Sequence, residues 1–148
     1  MENKRIPRNK RNNNPLNIRR GQDKWIGLSA VQNDPLFCQF RSSDYGYRAA
    51  FVLLIRTYYY RNKITRLGDI IRRWAPPTEN NTEAYILFVE RLTGLKAGEQ
   101  MPPPFENASA WLKLVAAMTI REGGEESLEV FALLDGWGMF EKIEKLKN

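Results

Sequence analysis

The stretch Asp44-Tyr-Gly-Tyr-Arg-Ala-Ala-Phe-Val-Leu-Leu-Ile-Arg-Thr-Tyr-Tyr-Tyr-Arg61 decides the fold class. Within it Ala49, Val52, Leu53, Ile55, Tyr59 and Tyr60 recur at helical spacing, while Arg48, Arg56 and Arg61 fall on other faces. This pattern predicts an amphipathic helix packed on a core. Toward the C-terminus the helical signals continue. Thr65 is a plausible N-cap for a second helix through Trp74, which Pro76-Pro77 must stop. Asn80 with Glu83 resembles a capping box for a third helix, Thr82–Leu92, ended by Gly94. After a loop rich in Pro and Gly over Lys96–Phe105, Asn107 caps a helix holding Trp111, Leu114, Val115, Met118 and Ile120, which stops at Gly123-Gly124. One or two further helices cover Glu126–Leu146, with a break expected near Asp135-Gly-Trp-Gly138.

Toward the N-terminus the period shortens. Lys24-Trp-Ile-Gly-Leu28 and Leu36-Phe-Cys-Gln-Phe-Arg41 are short, aromatic-rich and bounded by Gly, Asn, Asp and Pro, which fits a small antiparallel hairpin. Residues 1–12 are basic, polar and aperiodic, and are expected to be a flexible arm. The expected fold is therefore mainly α with a small N-terminal β-hairpin. Residues 13–148 are expected to form one domain, with a candidate lobe boundary near residues 96–106.

Composition narrows the chemistry. With 148 residues, 43% hydrophobic and 27% charged, the chain is an ordinary globular domain rather than a disordered one. No apolar run approaches the roughly 20 residues of a membrane span, and no apolar stretch follows the charged N-terminus as a secretory signal requires. The expected location is the bacterial cytoplasm at synthesis. A single cysteine, Cys38, forms no internal disulfide, and the absence of histidine removes Cys/His zinc sets and His-based triads. Any catalysis must run on carboxylates, Lys, Tyr or backbone groups, without metal or organic cofactor. Residues 1–75 carry 16 Lys/Arg against 5 Asp/Glu, so the basic half of the chain points to an anionic partner.

Glu122 is the leading candidate for a catalytic group. It closes a helix, with two glycines directly after it. The helix C-terminus and an apolar helix face both disfavour ionisation, so its pKa should rise, as a glycosidic general acid requires. Read blandly, it is a solvated helix end. Glu79 lies in the rigid loop Trp74-Ala-Pro-Pro-Thr-Glu-Asn-Asn-Thr82, where a helix N-terminus would favour its charged form and suit a base or an electrostatic stabiliser. In its bland reading it merely complements that N-terminus. Asp44, just before the first long helix, carries the same ambiguity. Trp25, Tyr58 and Trp74 belong to an aromatic set able to stack on sugar rings or bases.

The motifs Asn13-Asn-Pro-Leu-Asn-Ile-Arg19, Trp25-x-Gly27 and Phe40-Arg-Ser-Ser-Asp-Tyr-Gly-Tyr-Arg48 resemble a segment of flagellar-type peptidoglycan glucosaminidases. Together with Arg73-Trp-Ala-Pro-Pro-Thr-Glu-Asn80, they also look like small phage and prophage virion proteins labelled as structural. In the lysozyme-like superfamily the catalytic Glu ends a helix and is followed by Ser or Gly. Leu114-Val-Ala-Ala-Met-Thr-Ile-Arg-Glu-Gly-Gly124 is similar to that helix, placed after the Asn-Asn segment rather than before it. The resemblance thus implies a circularly permuted, lysozyme-like α+β domain.

On that resemblance the chain would cleave the glycan strand of peptidoglycan, as a muramidase, glucosaminidase or lytic transglycosylase. Glu122 would be the general acid, and Glu79, Asp44 or a group of the substrate itself would complete the reaction. Asn13, Asn14, Asn17, Arg19 and Asn80 would bind sugar, and Trp25, Tyr58 and Trp74 would wall the groove. One rival reading is a non-catalytic virion or mobile-element structural protein that binds the cell wall and other virion proteins. A second is a basic nucleic-acid-binding protein, although no helix-turn-helix, RNA-recognition or zinc signature is present.

Overall fold

The computed structural model describes residues 5–147. Its elements in chain order are α1 (Arg8–Arg11), α2 (Ser43–Phe51), a π-helical segment (Val52–Arg61) that continues α2, α3 (Leu67–Trp74), α4 (Thr82–Thr93), α5 (Ala108–Gly123), a 3-10 turn (Glu125–Ser127) and α6 (Val130–Leu146). The fold is all-helical among the described residues.

Helix α5 is the central element because its sequence is apolar on more than one face. Trp111, Leu114, Val115, Ala117 and Met118 are all buried. Against it pack α4 through Tyr85, Ile86 and Val89 and α6 through Leu133, Trp137 and Phe140, while α3 adds Leu67, Ile70 and Ile71 to the same core from its seat on α4 and the π-helical segment. Against α6 lies α2, where Phe51 meets Trp137 edge-on at 5.1 Å and Phe140 at 6.2 Å. Aromatic pairs at these separations add about 1 kcal/mol each beyond the area they bury.

Glycine governs the α2–α6 contact. A Cβ at Gly136 would lie 2.6 Å from Tyr47 Cβ and 2.8 Å from the Asp44 carbonyl oxygen, so only glycine lets the two helices approach this closely. This overturns the break expected at Asp135-Gly-Trp-Gly138. The helix runs through without interruption from Val130 to Leu146.

The hairpin is likewise absent, and with it the lysozyme-like α+β class. Residues 36–41 make one isolated antiparallel bridge to each of two neighbours, Arg19↔Phe37 and Leu28↔Phe40, and no ladder extends from either. Side chains have taken the backbone groups that a ladder would use. Asp34 Oδ1 accepts from the Leu36 and Phe37 amides at 2.9 and 3.0 Å. Gln39 Oε1 accepts from Asn33 and Asp34, while the Gln32 amide spans Ser29 and Gln39. Asn14, wholly buried, donates to the Ile18 and Cys38 carbonyls at 2.9 Å each. Short apolar runs interleaved with Asn, Asp and Gln thus fold as a loop pinned by side chains.

Two caps also differ from the sequence expectation. The first amides of α3 are met by backbone carbonyls of the Pro-rich loop, Leu67 N–H to Glu99 at 3.1 Å and Gly68 N–H to Ala97 at 2.9 Å, and Thr65 plays no part as a side-chain cap. Helix α4 is capped by Asn81, whose side chain accepts from Ala84, rather than by Asn80. The caps expected at Asn107 and Gly94 are both found, the latter with a left-handed φ of 79°.

Arg8–Arg11, within the expected basic arm, form α1, which packs on α5. Asn9 is buried and donates to the carbonyls of Pro15 and Thr119 at 2.9 and 3.4 Å. Residues 1–4 of that arm lie outside the described residues. One continuous hydrophobic cluster draws on residues before and after the 96–106 loop, and Met101 from the loop itself is part of it.

Candidate functional site

Helix α5 delivers Glu122 at its last turn, where two neighbours receive it. The Tyr85 hydroxyl on α4 donates to Glu122 Oε2 at 2.8 Å, and Asn17 Nδ2 donates to Oε1 at 2.9 Å. Asn17 holds a left-handed φ of 55°, a conformation Asn tolerates better than most residues. Its own Oδ1 is buried and has no hydrogen-bond partner among the described residues. Burial pushes the Glu122 carboxyl up, and this outweighs the Asn17 and Tyr85 hydrogen bonds and the nearby Arg121 charge, all of which favour ionisation. The Tyr85 phenol, almost wholly buried beside a carboxyl, is pushed well above its ordinary range.

Above this group opens a cleft of about 380 Å³, walled by Trp25, Tyr58 and Trp74 and edged by Asn17, Arg19, Asp23, Arg73 and Glu79. A small hollow of about 80 Å³ shares Asn17, Arg19, Trp74 and Glu79 with it and reaches Glu122 and Asn80. The π-helical segment contributes Leu53 and Tyr58 to the cleft. Such wide-turn segments often mark functional sites because they re-aim side chains relative to an α-helix. Tyr58 meets Trp74 edge-on at 6.2 Å, and the Arg73 guanidinium lies 6.0 Å from its ring. Burial raises the Tyr58 phenol while Arg73 opposes the rise.

Arg19 and Glu79 form a 3.0 Å ion pair across the mouth of the hollow, with about half of each side chain exposed. Exposed pairs of this kind contribute about 0–1 kcal/mol, so a ligand can displace either partner at little cost. Chemically, the cleft and its hollow together bring a carboxyl biased toward its protonated form, a second carboxylate beside a cation, and three aromatic side chains into one region.

The sequence candidates divide into two groups. Glu122, Glu79, Asn17, Arg19, Trp25, Tyr58, Trp74 and Asn80 line the cleft or its hollow. Asn13, Asn14 and Asp44 do not. Asn13 donates to the Phe40 carbonyl at 3.1 Å, Asn14 stitches the loop from within, and Asp44 accepts from the Ser42 hydroxyl in the first turn of α2. Sequence reasoning missed Tyr85. The available signal was a tyrosine within the apolar face of Ile86 and Val89, since a buried phenol needs a hydrogen-bond partner.

Comparison with known proteins finds a phage relative of this chain. The chain is 34% identical over 135 residues to Protein P5 of Pseudoalteromonas phage PM2, an alignment covering 88% of this chain and 81% of the relative. The chain belongs to the family of that phage protein. No protein-family model matches it. No helix of this P5-family chain, among the described residues, is long and apolar enough to cross a membrane.

Proposed function

We propose that this P5-family chain is a component of a phage virion that binds the glycan strand of the bacterial cell wall in the cleft above Glu122. The observation that carries the reading is the lining of one cleft by Trp25, Tyr58 and Trp74 together with Asn17, Arg19 and Glu79. Aromatic faces stack on sugar rings, while amides and charged groups take hydroxyl and acetamido groups. A phage relative agrees with a virion setting. A nucleic-acid backbone in the same cleft would meet the carboxylates of Asp23 and Glu79, which disfavours that alternative.

A second reading, cleavage of the bound strand, is favoured by Glu122 alone. A carboxyl that burial holds toward its protonated form can donate to a leaving glycosidic oxygen. Glu79 or a group of the substrate itself would then complete the reaction.

Co-sedimentation with peptidoglycan sacculi tests binding, and mass spectrometry of the supernatant tests cleavage. Binding is expected, and Trp74→Ala should weaken it about tenfold, the scale of one lost stacking contact. Equal sedimentation of wild type and Trp74→Ala would remove the cleft from the account. Muropeptides released by wild type but not by Glu122→Gln would establish the second reading, and their absence would leave binding alone.

A further inference from the structure

Two surface features take no part in the cleft. Between α4 and α5 runs an apolar groove of about 470 Å³, formed by Leu87, Phe88 and Leu92 and flanked by Arg91 and Arg121. Leu87 and Leu92 are 45% and 53% exposed. The Arg121 guanidinium lies 5.9 Å from the Phe88 ring, which places its charge beside the groove. Neither arginine forms an ion pair among the described residues.

The second feature is a ridge on the first turns of α6. Val130, Phe131 and Leu134 are 53%, 82% and 46% exposed. Spaced at i, i+1 and i+4, they share one side of the helix. Glu129 and Asp135 lie alongside them in sequence and are likewise without a cationic partner among the described residues. The chain as a whole carries a net charge of +6, so an acidic apolar ridge stands out against its surroundings.

Groove and ridge are complementary in both respects that govern docking. One is concave, apolar and flanked by unpaired cations. The other is projecting, apolar and flanked by unpaired anions. We propose that the groove of one copy takes the α6 ridge of a second copy, so that this chain self-associates through a groove-to-ridge contact. Phe131 is the anchor, since large aromatic residues that become fully buried carry most of the energy of such contacts. Arg91 and Arg121 opposite Glu129 and Asp135 fix the orientation, because charge pairing at a rim contributes specificity more than affinity.

Because the two surfaces are different, complementation tests the contact directly. In sedimentation velocity across a range of concentrations, wild type should shift from its 17.2 kDa monomer to larger species. Phe131→Asp and Leu92→Asp should each remain monomeric at concentrations at least about tenfold higher. Mixed together, these two variants should again associate, since each retains the surface the other has lost. Arg91→Glu should weaken association, and mixing it with Asp135→Arg should restore it. Both residues replaced by Asp are half exposed or more, and thermal melts will verify that the variants fold. Wild type that stays monomeric to its solubility limit would overturn the proposal, as would a mixture of the two Asp variants that stays monomeric. Monomeric wild type that binds anionic phospholipid vesicles and loses this on Arg91→Glu would assign the groove to a lipid surface and would overturn it equally.

Discussion

Replacing Gly136 and Gly138 by alanine, one at a time, should change stability in opposite directions although the two residues lie two apart on the same helix. A Cβ at Gly136 would meet Tyr47 Cβ at 2.6 Å, the Asp44 carbonyl oxygen at 2.8 Å and the Arg48 backbone nitrogen at 2.9 Å. None of these atoms can rotate away, so relief requires α2 and α6 to move apart. Overpacking of this kind costs about 3 kcal/mol at the upper end of its range. Alanine regains about 1 kcal/mol of helix propensity, which leaves a net loss of about 2 kcal/mol. For a chain of this length that corresponds to a fall in Tm of about 4–8 °C. Gly138 has nothing within 4 Å of the added carbon, so Gly138→Ala should gain about 0.5–1 kcal/mol and raise Tm by a few degrees. Thermal melts by far-UV circular dichroism read both values. Stabilisation by both substitutions would refute the reasoning, because it would mean that α6 is not seated against α2 at Gly136.

Two pH-dependent predictions carry opposite signs. Glu122 has a raised pKa in the folded state, so between its ordinary value of 4.5 and the folded value the native chain holds more protons than the unfolded one. Stability should therefore fall as pH rises through that window, and Glu122→Gln should remove the fall; urea titrations in which wild type and variant differ by a constant at every pH would contradict this. Asp34 behaves in the reverse sense. Arg8, Asn12 and two backbone amides hold its carboxyl far below the ordinary value of 3.8, so its contribution is present above that value and lost as pH falls below it. Asp34→Ala should cost about 2–4 kcal/mol at neutral pH, because it strands the Asn12 amide and two backbone amides, and the cost should shrink in acid. A loss of the same size at pH 3 and pH 7 would show that the carboxylate is not the source.

The helices were legible because apolar residues at helical spacing must face a core wherever that core lies. What the sequence hid were the partners. Gly136 read as a break because a glycine that enables close approach and one that ends a helix look alike until the neighbour is known. Lys24–Leu28 and Leu36–Arg41 had strand composition, yet the Asn14, Gln32 and Asp34 side chains consumed backbone groups of residues 36–39 that a hairpin would have paired. The π-helical turn at Val52–Arg61 left no mark on the apolar period, although it is this segment that brings Tyr58 to the cleft.

At the site, Glu122 drew notice through the glycines after it, and Asn17 through the Asn-rich loop. That the two would touch across 105 residues of sequence follows only from the way the N-terminal loop lies over the end of α5. Tyr85 went unread because its role depends on Glu122, whereas its position marks it simply as core.

The most direct test of the central claim is a titration of the purified chain with soluble N-acetylglucosamine–N-acetylmuramic acid oligosaccharides, followed by tryptophan fluorescence. The account predicts saturable quenching that Trp74→Ala weakens about tenfold and that Phe131→Asp leaves unchanged. Absence of saturation, or saturation indifferent to Trp74→Ala, would contradict it.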